Sequence, residues 1–126
     1  MHDEFAQARV ARLATVRPDG RPHVVPVCFV LAGDAIYTAV DAKPKSTRAL
    51  RRLDNVRANP HASLIVDHYD DDWSQLWWVR VDGRARVVDD DHAIDLLVAK
   101  YPQYVEHRPP GPIIAIDDLV WSRWSA

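Results

Sequence analysis

Cysteine occurs once, at Cys28, which excludes an intramolecular disulfide and any metal site built from several thiolates. Glycine is nearly as scarce. The four glycines, Gly20, Gly33, Gly83 and Gly111, stand too far apart to form G-x-G-x-x-G or the phosphate loop G-x-x-x-x-G-K-[ST], so the common nucleotide-binding readings fail at the first step. Neither G-x-S-x-G, H-E-x-x-H nor H-x-x-x-H is present, and the six histidines are scattered. Hydrolase chemistry and a resident metal are therefore not expected. No apolar run approaches the roughly 18 residues of a spanning helix. The start, Met1-His2-Asp3-Glu4-Phe5, lacks the charged, apolar and small-residue zones of a signal peptide. A soluble cytoplasmic protein without a membrane partner is the expectation.

A large charge of one sign is missing too. The net charge is −2, which gives the chain no global attraction for nucleic acid. Local charge is uneven: of 16 Lys and Arg residues, Lys43, Lys45, Arg48, Arg51, Arg52 and Arg57 fall in one short segment, while acids gather at Asp70 to Asp72 and Asp89 to Asp91. An anion would dock on the basic segment. A nucleic-acid interface using that helix and exposed tryptophans would need steeply salt-sensitive binding, against which the acidic loops count.

What is abundant is apolar sequence in short blocks, 48% of 126 residues, enough for one domain spanning residues 1–126. Arg12 to Val16 and His23 to Leu31 read as strands joined by the turn Arg17-Pro18-Asp19-Gly20-Arg21. Gly33-Asp34 turns into a third strand, Ala35 to Val40, which predicts a three-stranded meander. Pro26 cannot donate to a ladder, so its strand should lie at an edge or bulge. Ala49, Leu50, Leu53 and Val56 then recur at helical spacing, with Ser46 or Thr47 as cap and Asn59-Pro60 as stop. Ala62 to Asp67 and Trp78 to Val87 read as strands, the second alternating without a break. A helix capped within Asp89 to Asp91 carries Ala93, Ile94, Leu97 and Val98 and ends near Tyr101-Pro102. Ile113 to Ile116 and Leu119 to Trp124 close the chain as two further strands. The sum is a mainly β protein with short helices, a small six-stranded antiparallel barrel whose helices cover its openings.

Lys43, Lys45, Ser46, Thr47 and Arg48 stand where a strand gives way to a helix, and their hydroxyls, cations and free backbone N–H groups could converge on a phosphate. A solvated basic helix face with a Ser/Thr cap is the competing reading.

Four segments in order resemble the pyridoxamine 5′-phosphate oxidase-like superfamily across nearly the whole chain. They are Arg12-Leu13-Ala14-Thr15-Val16, Asp19-Gly20-Arg21-Pro22-His23-Val24-Val25-Pro26-Val27, the basic helix from Lys43 to Arg52, and Trp77-Trp78-Val79-Arg80-Val81-Asp82-Gly83-Arg84-Ala85. More closely, they resemble its actinobacterial branch of F420-dependent enzymes. The resemblance implies an FMN-binding type of split barrel, a homodimer with two cofactor sites between subunits. By position Lys43, Lys45, Ser46, Thr47 and Arg48 would hold the phosphate, with Arg51 at its margin. Pro26, Val27 and Cys28 would lie beside the redox ring, Thr38 would face the same pocket, and Trp77 and Trp78 would wall it across the dimer.

The resemblance favours coenzyme F420, with FMN as the alternative, and Arg51, Arg52 and Arg57 suit the deazaflavin's longer polyanionic tail. It implies hydride transfer to a small electrophilic substrate; the alternatives are an FMN-dependent oxidase or reductase, or a non-catalytic carrier. No catalytic residue is assigned, since the proton could come from solvent, Tyr37, Tyr69 or a histidine. The end of the chain, Val120-Trp121-Ser122-Arg123-Trp124-Ser125-Ala126, lacks the Arg-x-His substrate motif of the vitamin oxidases, which argues against that activity. Cys28 reads as a small buried hydrophobe or as a redox thiol. The tryptophans read as core or interface aromatics or as ring contacts.

Overall fold

The computed structural model describes residues 2–40 and 47–126, with side chains from residue 51 onward in the second stretch. Twelve-residue α2 (Thr47–Ala58) aside, the helices are short: α1 (Asp3–Gln7), α3 (Asp91–Lys100) and α4 (Gln103–Glu106). The strands are β1 (Ala11–Val16), β2 (Pro22–Val27), β3 (Val30–Ala32), β4 (Ala35–Ala39), β5 (His61–His68), β6 (Trp77–Val88) and β7 (Ile113–Ser125). They form one antiparallel sheet in the order β2-β1-β5-β6-β7-β4-β3, seven strands rather than the six expected.

One expected strand is broken in two. His23 to Leu31 reads as one strand, but the chain leaves the ladder at Cys28 and Phe29: Val27 still pairs with Ala11 of β1, whereas Val30 pairs with Tyr37 of β4. The predicted meander is therefore wrong. β2 and β4 do not pair, and β2 and β3 occupy opposite edges of the sheet. Laid flat, seven strands would hold those edges about 29 Å apart at the usual ~4.8 Å spacing. The three peptide steps from Val27 to Val30 reach only about 11 Å. The sheet must curl until its edges meet at Cys28 and Phe29, which makes it a split barrel.

At the other end of the sequence two expected strands are one. β7 runs unbroken past an irregularity where Asp82 pairs with Val120 but Arg84 pairs with Asp117, so two residues oppose the single Gly83. Asp118 takes the left-handed conformation there (φ 52°), which aspartate tolerates. Beyond the bulge the half-buried Trp121 packs against the core, its ring edge-on to Phe5 of α1.

Alternation decides what lies inside. Ala11, Leu13 and Thr15 of β1, Ala62, Leu64 and Val66 of β5, and Val79, Val81 and Ala85 of β6 point into the barrel with Phe5 and Phe29. Leu53 and Val56 of α2 join this core, so α2 packs against it at the predicted apolar stripe. A second core lies outside the barrel wall, where Ala93, Ile94, Leu97 and Tyr101 from α3 pack with Ala39 and Ile113. α3 starts as expected: the Asp90 carboxylate accepts from the Ala93 amide at 3.0 Å. Pro26 sits on the edge strand β2, which spares the ladder a missing donor.

Candidate functional site

The edges of the sheet meet beside a cavity of about 140 Å³, lined by Pro26, Val27, Cys28 and Ala39 with Arg52, Tyr104 and Val10. Three of the residues expected beside a ring are thus brought together. They share it because β2 ends at this point and its backbone turns inward toward Phe29. Cys28 is free and half-buried. Thr38 does not line the cavity. It is buried on β4, and its hydroxyl donates to the Cys28 carbonyl at 2.7 Å, so it shapes the wall from behind.

Among the described residues, a cation is brought to this cavity by α2. Arg52 reaches it from α2, and Arg51 and Arg52 both stand near His23 of β2, with Arg17 from the end of the β1–β2 hairpin. Burial first, and then these three guanidinium groups, hold the His23 imidazole below its ordinary value. Among the described residues, Asp19 pairs with Arg21 at 2.9 Å and Asp54 with Arg57 at 3.8 Å. The buried Nε of Arg17 and Nδ1 of His23 find no hydrogen-bond partner among the described residues. Positive charge and unsatisfied buried nitrogen therefore face one region, which suits an anion.

Lys43, Lys45 and Ser46 lie outside the described residues, as do the side chains of Thr47 and Arg48. Trp77 and Trp78 are not brought to the cavity within one chain. Trp77 packs against the barrel core and stacks on His68 at 6.1 Å, while Trp78 faces outward beneath the Arg80 guanidinium at 5.9 Å. The sequence reading gives Arg52 to the cofactor's tail, whereas its side chain lines the cleft. Its signal was its position four residues after Arg48, hence on the same helical face. Tyr104 and Val10 carried no such signal, because only tertiary packing brings them near β2.

Two larger clefts lie elsewhere. One of about 640 Å³ runs beside Arg57, Pro60, Arg86 and Pro112, and one of about 490 Å³ beside His2, Asp34, Asp117 and Trp121. Neither contains a ring-side residue predicted from the sequence. The smaller cavity is where wall, cation and sheet closure coincide.

A curled antiparallel sheet whose edges meet beside this cleft defines a split-barrel protein. The chain belongs to the pyridoxamine 5′-phosphate oxidase family, whose sequence model matches residues 1–118. Among curated proteins none matches it. Solved structures share the fold. A conserved hypothetical protein from Mycobacterium tuberculosis is 19% identical over 99% of this chain and 84% of its own, with a TM-score of 0.70. A haem storage protein from Vibrio cholerae is 18% identical over 98% and 90%, also at 0.70. An F420 reductase is 22% identical over 96% and 94%, at 0.67.

Proposed function

We propose that this protein binds a phosphate-bearing redox cofactor of flavin type, coenzyme F420 in first place and FMN as the alternative, and that it is an oxidoreductase acting on a small electrophilic substrate. The observation that carries the reading is the convergence of Pro26, Val27 and Cys28 with Arg52 in one cleft, in a member of this family. The likeness to an F420 reductase supports the first choice of cofactor. The donor set fits such a group. Arg51 and Arg52, backed by Arg17, offer charge to a phosphate, with the His23 imidazole beside them. The apolar wall from Pro26 to Cys28 offers a face to a flat ring.

Coenzyme F420, when bound, supplies hydride transfer at its deazaflavin ring. The chain's own part is to orient the ring along β2, to hold the anion with the arginines of α2, and to exclude water from the cleft. Lys43, Lys45, Ser46, Thr47 and Arg48 remain proposed phosphate ligands beside Arg51 and Arg52. The cleft is small for a whole ring, so a second copy is proposed to complete it. The outer face of β2, β1, β5, β6 and the end of β7 exposes Val24, Val120 and Trp124. On a homodimer seated there, Trp78 and Trp124, paired across β6 and β7, belong to the contact.

The test is a titration of tryptophan fluorescence with coenzyme F420 and, separately, with FMN, on the wild type and on Arg52→Ala. Micromolar F420 binding, weakened about tenfold in the variant, is expected, which corresponds to about 1.4 kcal/mol. Preference for FMN would move the cofactor assignment, and binding of neither would overturn the reading. Mixing the reduced deazaflavin complex with electrophilic acceptors then separates an enzyme from a carrier that binds without turnover.

A further inference from the structure

The two residues at the end of α3 spend their polar atoms on the point where β2 crosses to β3. The Tyr101 hydroxyl accepts from the Phe29 amide at 3.0 Å, and its single proton is shared between the carbonyls of Arg9 and Phe29, each also at 3.0 Å. Lys100 donates through Nζ to the same Phe29 carbonyl at 2.9 Å and lies 3.9 Å from the centre of the Phe29 ring. Thr38 holds the preceding carbonyl, that of Cys28. Both peptide groups of Cys28 and Phe29 have left the sheet ladder, so these side chains replace the bonds that a neighbouring strand would have made.

Phe29 is fully buried and Cys28 lines the cleft one residue away. Anything that lets this crossing shift moves the wall formed by Pro26, Val27 and Cys28. We propose that Tyr101 and Lys100 are positioning residues for the cleft: they lock the Cys28–Phe29 crossing and so set the shape of the wall against which a bound ring would lie. The last clause rests on the proposed function; the lock on the wall does not.

Lys100 works through charge as well as through its hydrogen bond. Burial, with Arg9 nearby, lowers its ammonium to about 8, and the neighbouring Cys28 opposes that shift. Arg9 donates to the Lys100 carbonyl at 2.8 Å, and Tyr101, whose phenol is raised by burial, lies beside it with the Tyr104 ring 5.6 Å from its own. Above about pH 8 the amine can still donate to Phe29, but the charge-assisted part of the bond and the attraction to the ring are lost. The lock should loosen over that range.

The single cysteine makes Cys28 a built-in reporter of the wall. The experiment follows the rate of Cys28 labelling by a thiol-reactive disulfide reagent, corrected for the fraction of thiolate, together with FMN and coenzyme F420 affinity, in the wild type, Tyr101→Phe, Lys100→Met and Lys100→Arg. Labelling of Cys28 at pH 7 is expected to speed up at least threefold in Tyr101→Phe and Lys100→Met, with a fall of fivefold or more in cofactor affinity. Lys100→Arg should restore both. In the wild type both readouts should inflect near pH 8, and Lys100→Met should abolish the inflection. If Tyr101→Phe does not fold, the partly exposed Lys100 carries the test alone. Unchanged labelling and affinity in Lys100→Met, or an inflection that survives it, would overturn the proposal. A wild type that binds neither cofactor yet shows the labelling changes would overturn the proposed function and leave the lock standing.

Discussion

Asn55 of α2 donates through its side-chain amide to the Thr15 hydroxyl of β1 across 3.1 Å, and both residues are almost wholly removed from solvent. The bond fixes the rotation of α2 about its axis, and with it the direction of Arg51 and Arg52. An apolar stripe alone would tolerate small rotations, because hydrophobic contact is non-directional. A buried amide does not, since any rotation leaves a polar group unpaired.

Replacing one partner tests this. Thr15→Val keeps the shape and leaves the Asn55 amide buried without its acceptor, so a loss of about 1–3 kcal/mol is expected in urea denaturation. The double variant Thr15→Val/Asn55→Leu should lose less than the sum of the two single changes, because no polar group is then stranded. Additive losses would mean the bond does not couple the helix to the sheet.

His23 should make the protein sensitive to acid. In the folded state its pKa lies below the ordinary 6.5, through burial first and then Arg17, Arg51 and Arg52. Above 6.5 the imidazole is neutral in both states and contributes no pH dependence. Below it the unfolded chain takes up a proton that the folded chain refuses until its own lower pKa is reached, so stability falls as the pH drops from about 6.5. Thermal unfolding from pH 7.5 to 5.5 should show a smaller decline in His23→Gln than in the wild type. A phosphate bound at the arginines should raise the His23 pKa, which the ring proton signals in NMR report directly; equal declines and an unmoved signal would contradict this account.

Gly83 is required by closeness rather than by its own conformation. A Cβ there would lie 2.7 Å from both the Asp117 carbonyl oxygen and the Cγ2 of Ile116, inside the bulge of β7. Gly83→Ala must push backbone, and a cost of about 1–3 kcal/mol is expected. Because Trp121 packs edge-on to Phe5 just beyond the bulge, the near-ultraviolet circular dichroism of the tryptophans should change with it. An unaltered denaturation midpoint would show that β7 can slide at little cost.

Much of the local structure was legible in the residues. The turn from Arg17 to Arg21, the stop at Asn59-Pro60, the Asp90 cap and the alternation of β6 each depend on neighbours a few positions away, and each is present. Pro26 announced an edge strand because a missing N–H is a property of the residue itself. The break at Cys28 and Phe29 was not legible. The segment from His23 to Leu31 is uniformly strand-like, and what interrupts it is a tyrosine and a lysine more than 70 residues away in sequence.

The candidate site divides the same way. Pro26, Val27 and Cys28 could be named from the sequence because they are consecutive, and whatever approaches one meets the others. That Arg52 lines the cleft could not be read from the sequence, because it depends on how α2 docks on the barrel. That is set by Asn55 against Thr15 and by Leu53 and Val56 in the core.

By itself the sequence determined most of the strand segments, the two longer helices, one of them basic, and the edge proline, since all of these follow from backbone preferences and short-range periodicity. Only the tertiary structure decided that the first hairpin and the second would stand at opposite edges of one sheet, that those edges would meet at Cys28 and Phe29, and that Arg52 would face the wall formed there. The reason is physical: strand pairing and helix rotation are chosen by contacts between distant residues, and their energies exist only once the chain has closed on itself.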